Sequence, residues 1–406
     1  MSVRKINSSN IHQRKDTGDY IGVVRYVDDD GEIKRKSFSS KTKSEAQQKI
    51  TNYIMEFNKS IEESDESRKK LKDSMQSWLE VFKFPSVERT TYDRLECTAK
   101  NQIYAILGNK VVGNIKSADI KNLLNHWMNH GYAYTTVKKV YVILNEYFRY
   151  LMQQELIQKN PMQSAPMIKK ANFMAAQGKE NLPTNETVII FTPEEIAKIK
   201  EEASKQYVTG KKLYKQAGAI FLMLNTGLRT GEVLGLLNSD IDLENRVLHV
   251  QRGVKQRNVR DGYEQVGPKT EMVVGKLKSA SSKRDVPLND TAIQAIKEMR
   301  EEIYLGEDFP LIPDINGNFL KPERFRRRYY RLLDGAGLEH RGLHSLRHTF
   351  ATNLVNGVKQ PDGTIVSLTP KQVADILGHS TSQITEMYYV KKDTTRLNGL
   401  TDAFSI

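Results

Sequence analysis

The chain has 406 residues, with 62 Lys and Arg against 49 Asp and Glu and a formal net charge of +13. This length predicts two or three domains, and the lack of an apolar run of about 18 residues excludes an ordinary membrane-spanning helix. The single cysteine, Cys97, excludes a disulfide framework and a cysteine-based zinc site. The basic surplus favours DNA or RNA as a partner, with a merely basic surface as the alternative. The opening MSVRKINSSN lacks an apolar core, so we expect no signal peptide and a cytoplasmic protein.

The N-terminal segment has the pattern of a β-hairpin followed by a helix. Residues 20–27 are rich in β-branched and aromatic types, residues 28–31 supply turn chemistry, and residues 32–38 alternate as a return strand. Apolar residues at three- and four-residue spacing predict a helix over about 44–63. A basic β-ribbon can lie in a DNA groove, although a solvated basic face is the alternative. The basic residues concerned are Arg25, Lys34, Arg35 and Lys36.

Residues 73–165 have helical periodicity throughout. Apolar side chains recur at helical spacing in four stretches that glycines separate, which predicts a compact bundle. We expect the polar run 62–72 to join this bundle to the N-terminal segment. Residues 166–190 lack the periodicity and collect Ser, Pro, Asn, Gly and Lys, which is typical of a linker.

The remaining residues, 191–406, contain the motifs that carry chemistry. In TGLRTGE, an apolar helix ends near Gly227 and a second helix begins near Thr230. Arg229 lies between the two helices, where a guanidinium and free helix N–H groups can hold one phosphate. An ordinary ion pair between Arg229 and Glu232, three residues on, is the alternative.

Two antiparallel strands are predicted in the middle of this region. Residues 247–250 form the first, and residues 276–288 are interpreted as a turn followed by the second. Lys278 lies near the tip of the turn, and a lysine there can reach a leaving oxygen and donate a proton. The alternative is a solvated lysine in a basic loop, and Lys276 and Lys283 compete for the same role.

The strongest local pattern is HSLRH. His344, Arg347 and His348 stand at positions i, i+3 and i+4, so they share one face of a helix. An arginine and two histidines on one face make a cationic site of the size that a phosphate requires. A metal site is the alternative, but no Asp or Glu nearby completes the ligand set.

A further histidine motif is followed by two tyrosines. In LGHS, a helix ends at Gly378 as a C-cap, and His379 follows it. Tyr388 and Tyr389 come nine and ten residues after His379. A tyrosine hydroxyl is a weak nucleophile at neutral pH, and it reacts where cations stabilise both the phenolate and the pentacoordinate phosphorane.

In this order, the cationic residues and the late tyrosine resemble the catalytic constellation of the tyrosine recombinase (phage integrase) family. TGLRTGE, HSLRH and LGHS are similar to the family's motifs, and the match covers about residues 191–392. The front of the chain is most similar to integrases of conjugative transposons. The candidate catalytic residues are Arg229, Lys278, His344, Arg347, His379 and Tyr389.

The resemblance implies a multidomain, mainly α-helical chain with small β elements. An N-terminal three-stranded sheet plus helix, residues 1–65, would bind arm-type DNA sites. A helical bundle, residues 73–165, would be the core-binding domain, and residues 166–190 the linker. Residues 191–406 would form an α-rich catalytic domain with a small antiparallel sheet and a C-terminal tail.

The resemblance also implies a role for each candidate residue. Arg229 and Arg347 would hold the non-bridging oxygens of the scissile phosphate, and His379 would hydrogen-bond it. His344 would act as acid/base and phosphate ligand, and Lys278 would protonate the departing 5′ hydroxyl. The tyrosine would leave a 3′-phosphotyrosyl bond that stores the phosphodiester energy, so we expect no ATP, no cofactor and no metal.

The nucleophile is one of two adjacent tyrosines. A spacing of ten residues from His379 fits many family members and selects Tyr389. The spacing of nine that Xer-type members use would select Tyr388. We predict Tyr389 and keep Tyr388 as the alternative.

Double-stranded DNA is the expected partner, at core sites and arm sites, and the resemblance implies a homo-tetramer on that DNA. In the family, C-terminal tails pack on a neighbouring subunit. Here Leu397, Leu400 and Phe404 give the tail one apolar helical face, and folding back onto its own domain is the alternative. A DNA-bending accessory protein is a further candidate partner. We expect no membrane partner and a location at the bacterial nucleoid.

Two other functions are alternatives. A type IB topoisomerase uses the same chemistry but relaxes supercoils as a monomer, and the N-terminal β segment and C-terminal tail argue against it. A DNA-binding regulator without catalysis would be expected to lack some active-site residue type, and every type is present.

Overall fold

The structure, a computed structural model, describes residues 5–28, 32–62, 65–182, 188–276, 282–359, 362 and 364–390. Contacts divide the chain into two units, residues 1–181 and 182–406. Among the helices in the described ranges, none has both the length and the apolar character needed to cross a membrane.

An antiparallel sheet with one helix begins the first unit. Its strands are β1 (Lys5–Gln13), β2 (Tyr20–Val27) and β3 (Ile33–Ser40), in that order across the sheet, followed by α1 (Lys43–Glu62). The helix approaches β2 closely because Gly22 has no side chain; a Cβ there would lie 2.8 Å from Ile50. The predicted hairpin and helix are confirmed, and β1 is the third strand that the resemblance implied.

Helices make up the rest of the first unit. They are α2 (Asp65–Arg68), α3 (Leu71–Trp78), α4 (Arg89–Thr98), α5 (Ala105–Leu107), α6 (Ser117–Asn129), α7 (Tyr134–Gln153) and α8 (Lys170–Ala176). Short π-helical stretches at Leu79–Lys83 and Ala99–Tyr104 continue α3 and α4, and a 3-10 turn occupies Val112–Asn114. The four predicted helical stretches share one apolar core, in which Tyr92, Tyr147 and Phe148 are completely buried.

Helix α8 lies within residues 166–190, which the loss of periodicity predicted as a linker. For residues 170–176 that prediction is wrong, because Phe173 is completely buried in the core of the bundle. Just after the helix, the amide of Gln177 donates to the carbonyl oxygens of Met128 (2.8 Å) and Tyr132 (2.9 Å). A helix of seven residues with one buried ring is too short to produce a periodic pattern in the sequence.

The substitution Phe173→Ala should destabilise the bundle by about 3–5 kcal/mol, because it removes a buried ring and leaves a cavity. Trp78 and Trp127 are the two tryptophans of the chain and both belong to this core, so their fluorescence during urea unfolding reports on the bundle. Asn172→Ala, at the exposed preceding position, is the control and should leave the unfolding midpoint nearly unchanged. An unchanged midpoint for Phe173→Ala would show that α8 is not part of the core.

The second unit is mainly helical. Its helices are α9 (Pro193–Ala203), α10 (Ala217–Thr226), α11 (Thr230–Val233), α12 (Asp290–Glu302), α13 (Pro322–Gly335), α14 (His344–Asn356), α15 (Pro370–Leu377) and α16 (Ser382–Tyr389). Its strands are β4 (Ile241–Asp242), β5 (Val247–Val250), β6 (Arg252–Asp261), β7 (Glu264–Lys276), β8 (Arg284–Pro287), β9 (Val358–Lys359) and β10 (Ile365–Val366). Helix α10 is almost wholly apolar and packs against α12 and α14 at the core of this unit.

Three small sheets complete the second unit. Strands β4, β5 and β8 form an antiparallel sheet in that order, which confirms the predicted pairing of residues 247–250 with a later strand. Strands β6 and β7 form a separate long hairpin inserted between β5 and β8, for which the sequence pattern predicted no element. Strands β9 and β10 form a short hairpin between α14 and α15. Helix α14 carries His344 and Arg347 of the predicted site, and α15 ends just before His379.

Candidate active site

A buried arginine stands at the point where three helices meet. Arg347, on α14, is only 1% exposed, and its guanidinium donates to the carbonyl oxygens of Gly227 (2.7 Å) and Leu377 (2.8 Å). These carbonyls belong to the C-terminal ends of α10 and α15, where the helix dipole presents partial negative charge. A guanidinium has five N–H donors, so the two carbonyls leave others for an anion.

Glycine is required where α10 ends. Gly227 has a φ of 63°, and a Cβ at this position would lie 2.5 Å from Phe350 of α14 and 2.6 Å from Leu377 of α15. This close approach brings the carbonyl of Gly227 to Arg347. The predicted helix ends at Gly227 and at Gly378, which has a φ of 67°, are both confirmed.

A second arginine adjoins the same helix end. Arg229 caps α11, and its guanidinium, 37% exposed, donates to Glu232 (2.8 Å) and to the carbonyl oxygen of Gly378 (3.4 Å). The ion pair with Glu232, the structural alternative for Arg229, therefore exists in the structure. Burial, with the nearby charge of Arg229, lowers the pKa of Arg347 to about 9, so Arg347 is still charged at neutral pH.

The carboxylate of Glu232 is buried and held from two sides. Arg284 of β8 donates to its two oxygens at 3.2 and 3.0 Å, and the backbone N–H of Arg229 donates at 2.8 Å. Burial alone would raise the pKa of Glu232, but the hydrogen bonds and charge of Arg284, with those of Arg229, hold it below its ordinary value. Arg284 also donates to the carbonyl oxygen of Ile376 at 2.6 Å, so it ties together β8, α11 and α15.

Two predicted histidines lie beside the arginines. Burial, with the charges of Arg347 and Arg229, lowers the pKa of His379 to about 4. Burial, His348 and Arg347 also lower the pKa of His344, although the residue as a whole is exposed. Both imidazoles are therefore neutral at neutral pH, and each can donate one hydrogen bond. Nδ1 of His379 lies 2.8 Å from the hydroxyl of the buried Thr385, which orients the ring.

The side chain of Tyr389 closes the site. It is 3% exposed and packs with apolar residues of α14 and α15, and its hydroxyl lies 2.9 Å from Nδ1 of His348. Its ring is parallel to that of His379, with centroids 6.4 Å apart. Burial raises the pKa of Tyr389, although the charge of Arg347 opposes the rise. Tyr388 is only half-buried and stacks on the outer side of His348, with ring centroids 6.3 Å apart.

The predicted catalytic lysine, Lys278, belongs to residues 277–281, which lie outside the described residues. Of its competitors, Lys276 ends β7, and Lys283 is exposed just before β8. The structure brings the other candidate catalytic residues together, namely Arg229, His344, Arg347, His379 and Tyr389.

The four basic residues predicted to bind DNA divide between the two faces of the N-terminal sheet. Arg25 and Arg35 lie directly opposite each other on β2 and β3, and both are exposed. Lys34 and Lys36 alternate with Arg35 and therefore belong to the other face. That face packs on α1, as shown by Tyr26, which lies opposite Lys34 and contacts the aromatic rings of the helix.

Within the described ranges, no group of three or more His, Cys, Asp or Glu side chains could hold a metal ion.

The model of the phage integrase family matches residues 190–396, just over half of the chain. The chain belongs to the phage integrase family. A second model, for the N-terminal SAM-like domain of phage integrases, matches residues 70–128 of the helical bundle.

Individual relatives agree with this assignment. The chain is 30% identical over 398 residues to a tyrosine recombinase XerC-like protein of Caldanaerobacter subterraneus, which covers 93% of this chain and 94% of that protein. It is 28% identical over 296 residues to the transposase from transposon Tn916 of Enterococcus faecalis, covering 70% of this chain and 65% of that protein. The integrase is therefore a tyrosine recombinase, an enzyme that cleaves and rejoins DNA, and the predicted family is confirmed.

Solved structures share the fold. The Tn1549 transposon integrase, in complex with a circular intermediate DNA, has a TM-score of 0.60 at 21% identity and covers 82% of this chain and 99% of that one. A lambda integrase tetramer bound to a Holliday junction has a TM-score of 0.58 at 18% identity, covering 95% and 98%. The predicted multidomain, mainly α fold with small sheets is confirmed.

Two residues of the integrase site were not assigned from the sequence. His348 was recognised as part of a cationic helix face, but its contact with Tyr389 depends on how α16 docks on α14. Arg284 pairs with Glu232, a carboxylate 52 residues away in the sequence. Strand alternation places Arg284 on the same face as the buried Val286, but nothing in the sequence indicates that its partner is Glu232.

Removing Arg284 should destabilise the catalytic unit. We expect Arg284→Ala to cost about 3 kcal/mol, because it takes one partner from a buried carboxylate. Calorimetric unfolding at neutral pH measures the loss, and Lys283→Ala, at the exposed neighbouring position, is the control. The loss should shrink as the pH falls through the lowered pKa of Glu232, since the stability that this carboxylate contributes is present only while it is ionised. Equal unfolding temperatures for Arg284→Ala and wild type would contradict a bracing role.

Proposed function

We propose that this integrase performs site-specific recombination at the ends of a mobile element, through a 3′-phosphotyrosyl intermediate on Tyr389. The observation that carries the proposal is the position of the Tyr389 hydroxyl beside the cations Arg347 and Arg229. A phosphodiester attracted to these two arginines comes within reach of that hydroxyl. The relatives named transposase and integrase support a mobile element as the setting.

Each candidate catalytic residue has a role in the cleavage step. The oxygen of Tyr389 attacks phosphorus while the bond from phosphorus to the 5′ oxygen breaks. Arg229 and Arg347 hold the non-bridging oxygens, where negative charge grows in the transition state. Neutral His344 and His379 donate hydrogen bonds to the same phosphate, and His344 can also move a proton.

The leaving oxygen is protonated by a lysine, and the covalent intermediate keeps the free energy needed for rejoining. Lys278 protonates the departing 5′ oxygen, and rejoining is the same step in reverse with a new 5′ hydroxyl. Because the phosphotyrosyl bond keeps the free energy of the phosphodiester, the cycle needs neither ATP nor a metal ion.

The N-terminal sheet is proposed to bind arm sites. Arg25 and Arg35 share the face that α1 leaves open, and they are the first choice for phosphate contacts on a DNA groove. Lys34 and Lys36 extend the basic character to the edge of the sheet. In this proposal, residues 1–65 bind arm sites while the other domains bind and cut the core site.

The proposed assembly is a homo-tetramer on double-stranded DNA. Its core-binding domain is residues 73–165, its catalytic domain is residues 191–406, and its subunits exchange C-terminal tails. The tail, with Leu397, Leu400 and Phe404, lies outside the described residues. A lambda integrase relative forms a tetramer on a Holliday junction, which supports the stoichiometry. A nucleoid location and a DNA-bending accessory protein are further parts of the proposal.

Tyr389→Phe should abolish a covalent protein–DNA band on denaturing gels, and Tyr388→Phe should retain it. Each protein is incubated, without metal, with a nicked duplex that carries the junction between the element's end and flanking DNA. Loss of the band only in Tyr388→Phe would move the nucleophile by one residue. Absence of the band from wild type, on DNA that it binds, would favour a non-catalytic regulator. Relaxation of supercoils by an isolated monomer without partner sites would favour a type IB topoisomerase.

Binding of arm-site DNA should weaken steeply with salt between about 50 and 200 mM, because phosphate contacts dominate it. Changing both Arg25 and Arg35 to Ala should reduce the slope of log affinity against log salt by about one for each phosphate that the protein no longer neutralises. The matched variant changes Lys34 and Lys36 to Ala. Both residues belong to the face that carries α1, so this variant should reduce the salt slope less. Equal slopes for all three proteins would contradict the assignment of the sheet.

A further inference from the structure

The hydroxyl of Tyr389 is hydrogen-bonded to a histidine that the scheme above leaves without a task. Nδ1 of His348 lies 2.9 Å from this oxygen, and both side chains are sheltered from solvent. His348 follows Arg347 directly on α14, so its backbone position is as firmly fixed as that of the buried arginine. In the DNA-free protein, the hydroxyl oxygen of Tyr389 therefore already has a nitrogen base within hydrogen-bond distance.

The surroundings of His348 keep its imidazole neutral. From its own helix it faces His344, with ring centroids 4.8 Å apart, and the charge of Arg347. From α16 it faces Tyr388 and Tyr389. Burial, and then the charge of Arg347, lowers the pKa of His348 below its ordinary value. In the tautomer that carries its proton on Nε2, the Nδ1 atom accepts the hydrogen bond from Tyr389.

We propose that His348 is the general base of the cleavage step and takes the proton of Tyr389 as its oxygen attacks phosphorus. The inference rests on the proposed function, because it concerns the proton of the same nucleophile. His348 touches a reacting atom, so its role is catalytic rather than one of positioning through another residue.

The step balances with groups already named. As the bond from the tyrosine oxygen to phosphorus forms, the phenolic proton moves to Nδ1 and His348 becomes an imidazolium. The bond from phosphorus to the 5′ oxygen breaks, and that oxygen takes a proton from the separate acid, Lys278. On rejoining, a 5′ hydroxyl gives its proton back to Lys278 while His348 returns its proton to Tyr389.

A base is needed because the tyrosine does not ionise by itself near neutral pH. Burial raises the pKa of Tyr389, so the free phenolate is scarce before reaction. General base catalysis typically contributes about 10²- to 10⁴-fold in rate, which sets the size of the expected loss.

The test compares two substitutions of His348 in single-turnover cleavage by the full-length protein. The probe is the nicked duplex used for the covalent band, with the scissile phosphate either natural or carrying sulfur in place of the bridging 5′ oxygen. His348→Asn places an amide near the position of Nδ1 and can hold the hydroxyl without removing its proton, whereas His348→Ala does neither. Asn353→Ala, an exposed position on the same helix, is the control.

We expect both His348 variants to lose about 10²-fold or more in cleavage rate, on the natural and on the sulfur-containing duplex alike. The sulfur leaving group needs no proton, so it should rescue Lys278→Ala and should leave the His348 variants slow. A merely structural role for His348 predicts that Asn restores the rate, which would overturn the proposal. Rescue of the His348 variants by sulfur would also overturn it, by assigning His348 to the leaving oxygen.

The pH profile gives a readout that is independent of how much variant protein folds. The wild-type rate should be flat above the lowered pKa of His348 and fall as the pH drops through it, because protonated His348 cannot accept a proton. The His348→Asn rate should rise by about tenfold per pH unit up to the raised pKa of Tyr389, since without a base the tyrosine must lose its proton to solvent before it attacks. Parallel profiles for variant and wild type would overturn the proposal. A wild-type protein that binds the duplex but forms no adduct would overturn the proposed function, and this inference with it.

Discussion

A buried guanidinium must be given acceptors, and the catalytic unit gives Arg347 the C-terminal ends of two helices. An unpaired charge in this position would cost several kcal/mol, and the carbonyls of Gly227 and Leu377 with their helix dipoles offset that cost. For both ends to reach one side chain, α10 and α15 must stop beside α14, which is why each helix ends at a glycine in the left-handed conformation. Arg229 is then placed by the same α15 end, through Gly378.

The protonation states of the site follow from this arrangement. Burial, with repulsion from the arginines, lowers the pKa values of His344, His348 and His379, so these imidazoles are neutral, while burial keeps Tyr389 protonated. The site is therefore cationic, and its neutral side chains are able to accept or donate protons. In the proposed mechanism, a phosphate supplies the missing negative charge and lies against the proposed nucleophile and base, which are already in contact with each other.

Local chemistry in the sequence predicted five candidate residues that the structure brings together. Glycine at positions 227 and 378 marked the helix ends, and the spacing of His344 and Arg347 put them on one face, because both signals depend on only a few neighbouring residues. Contacts between residues that are distant in the sequence could not be predicted from such local signals. The pair of Arg284 with Glu232 and the docking of α16 on His348 are set by packing of the whole unit, and the short helix around Phe173 has no periodic signal. The division of the basic N-terminal residues between two sheet faces follows from strand alternation, once the register of β2 and β3 is known.

In the proposed mechanism, one phosphate binds between two arginines whose positions are fixed by helix ends and by a buried carboxylate. The most direct measurement is a crystal structure of the full-length enzyme covalently joined to a nicked duplex. The account predicts a phosphorus bonded to the oxygen of Tyr389, with the non-bridging oxygens within hydrogen-bond distance of Arg229 and Arg347 and with Arg347 still donating to Gly227 and Leu377. A phosphate bound elsewhere on the unit, or an Arg347 that leaves both carbonyls to reach it, would contradict the account.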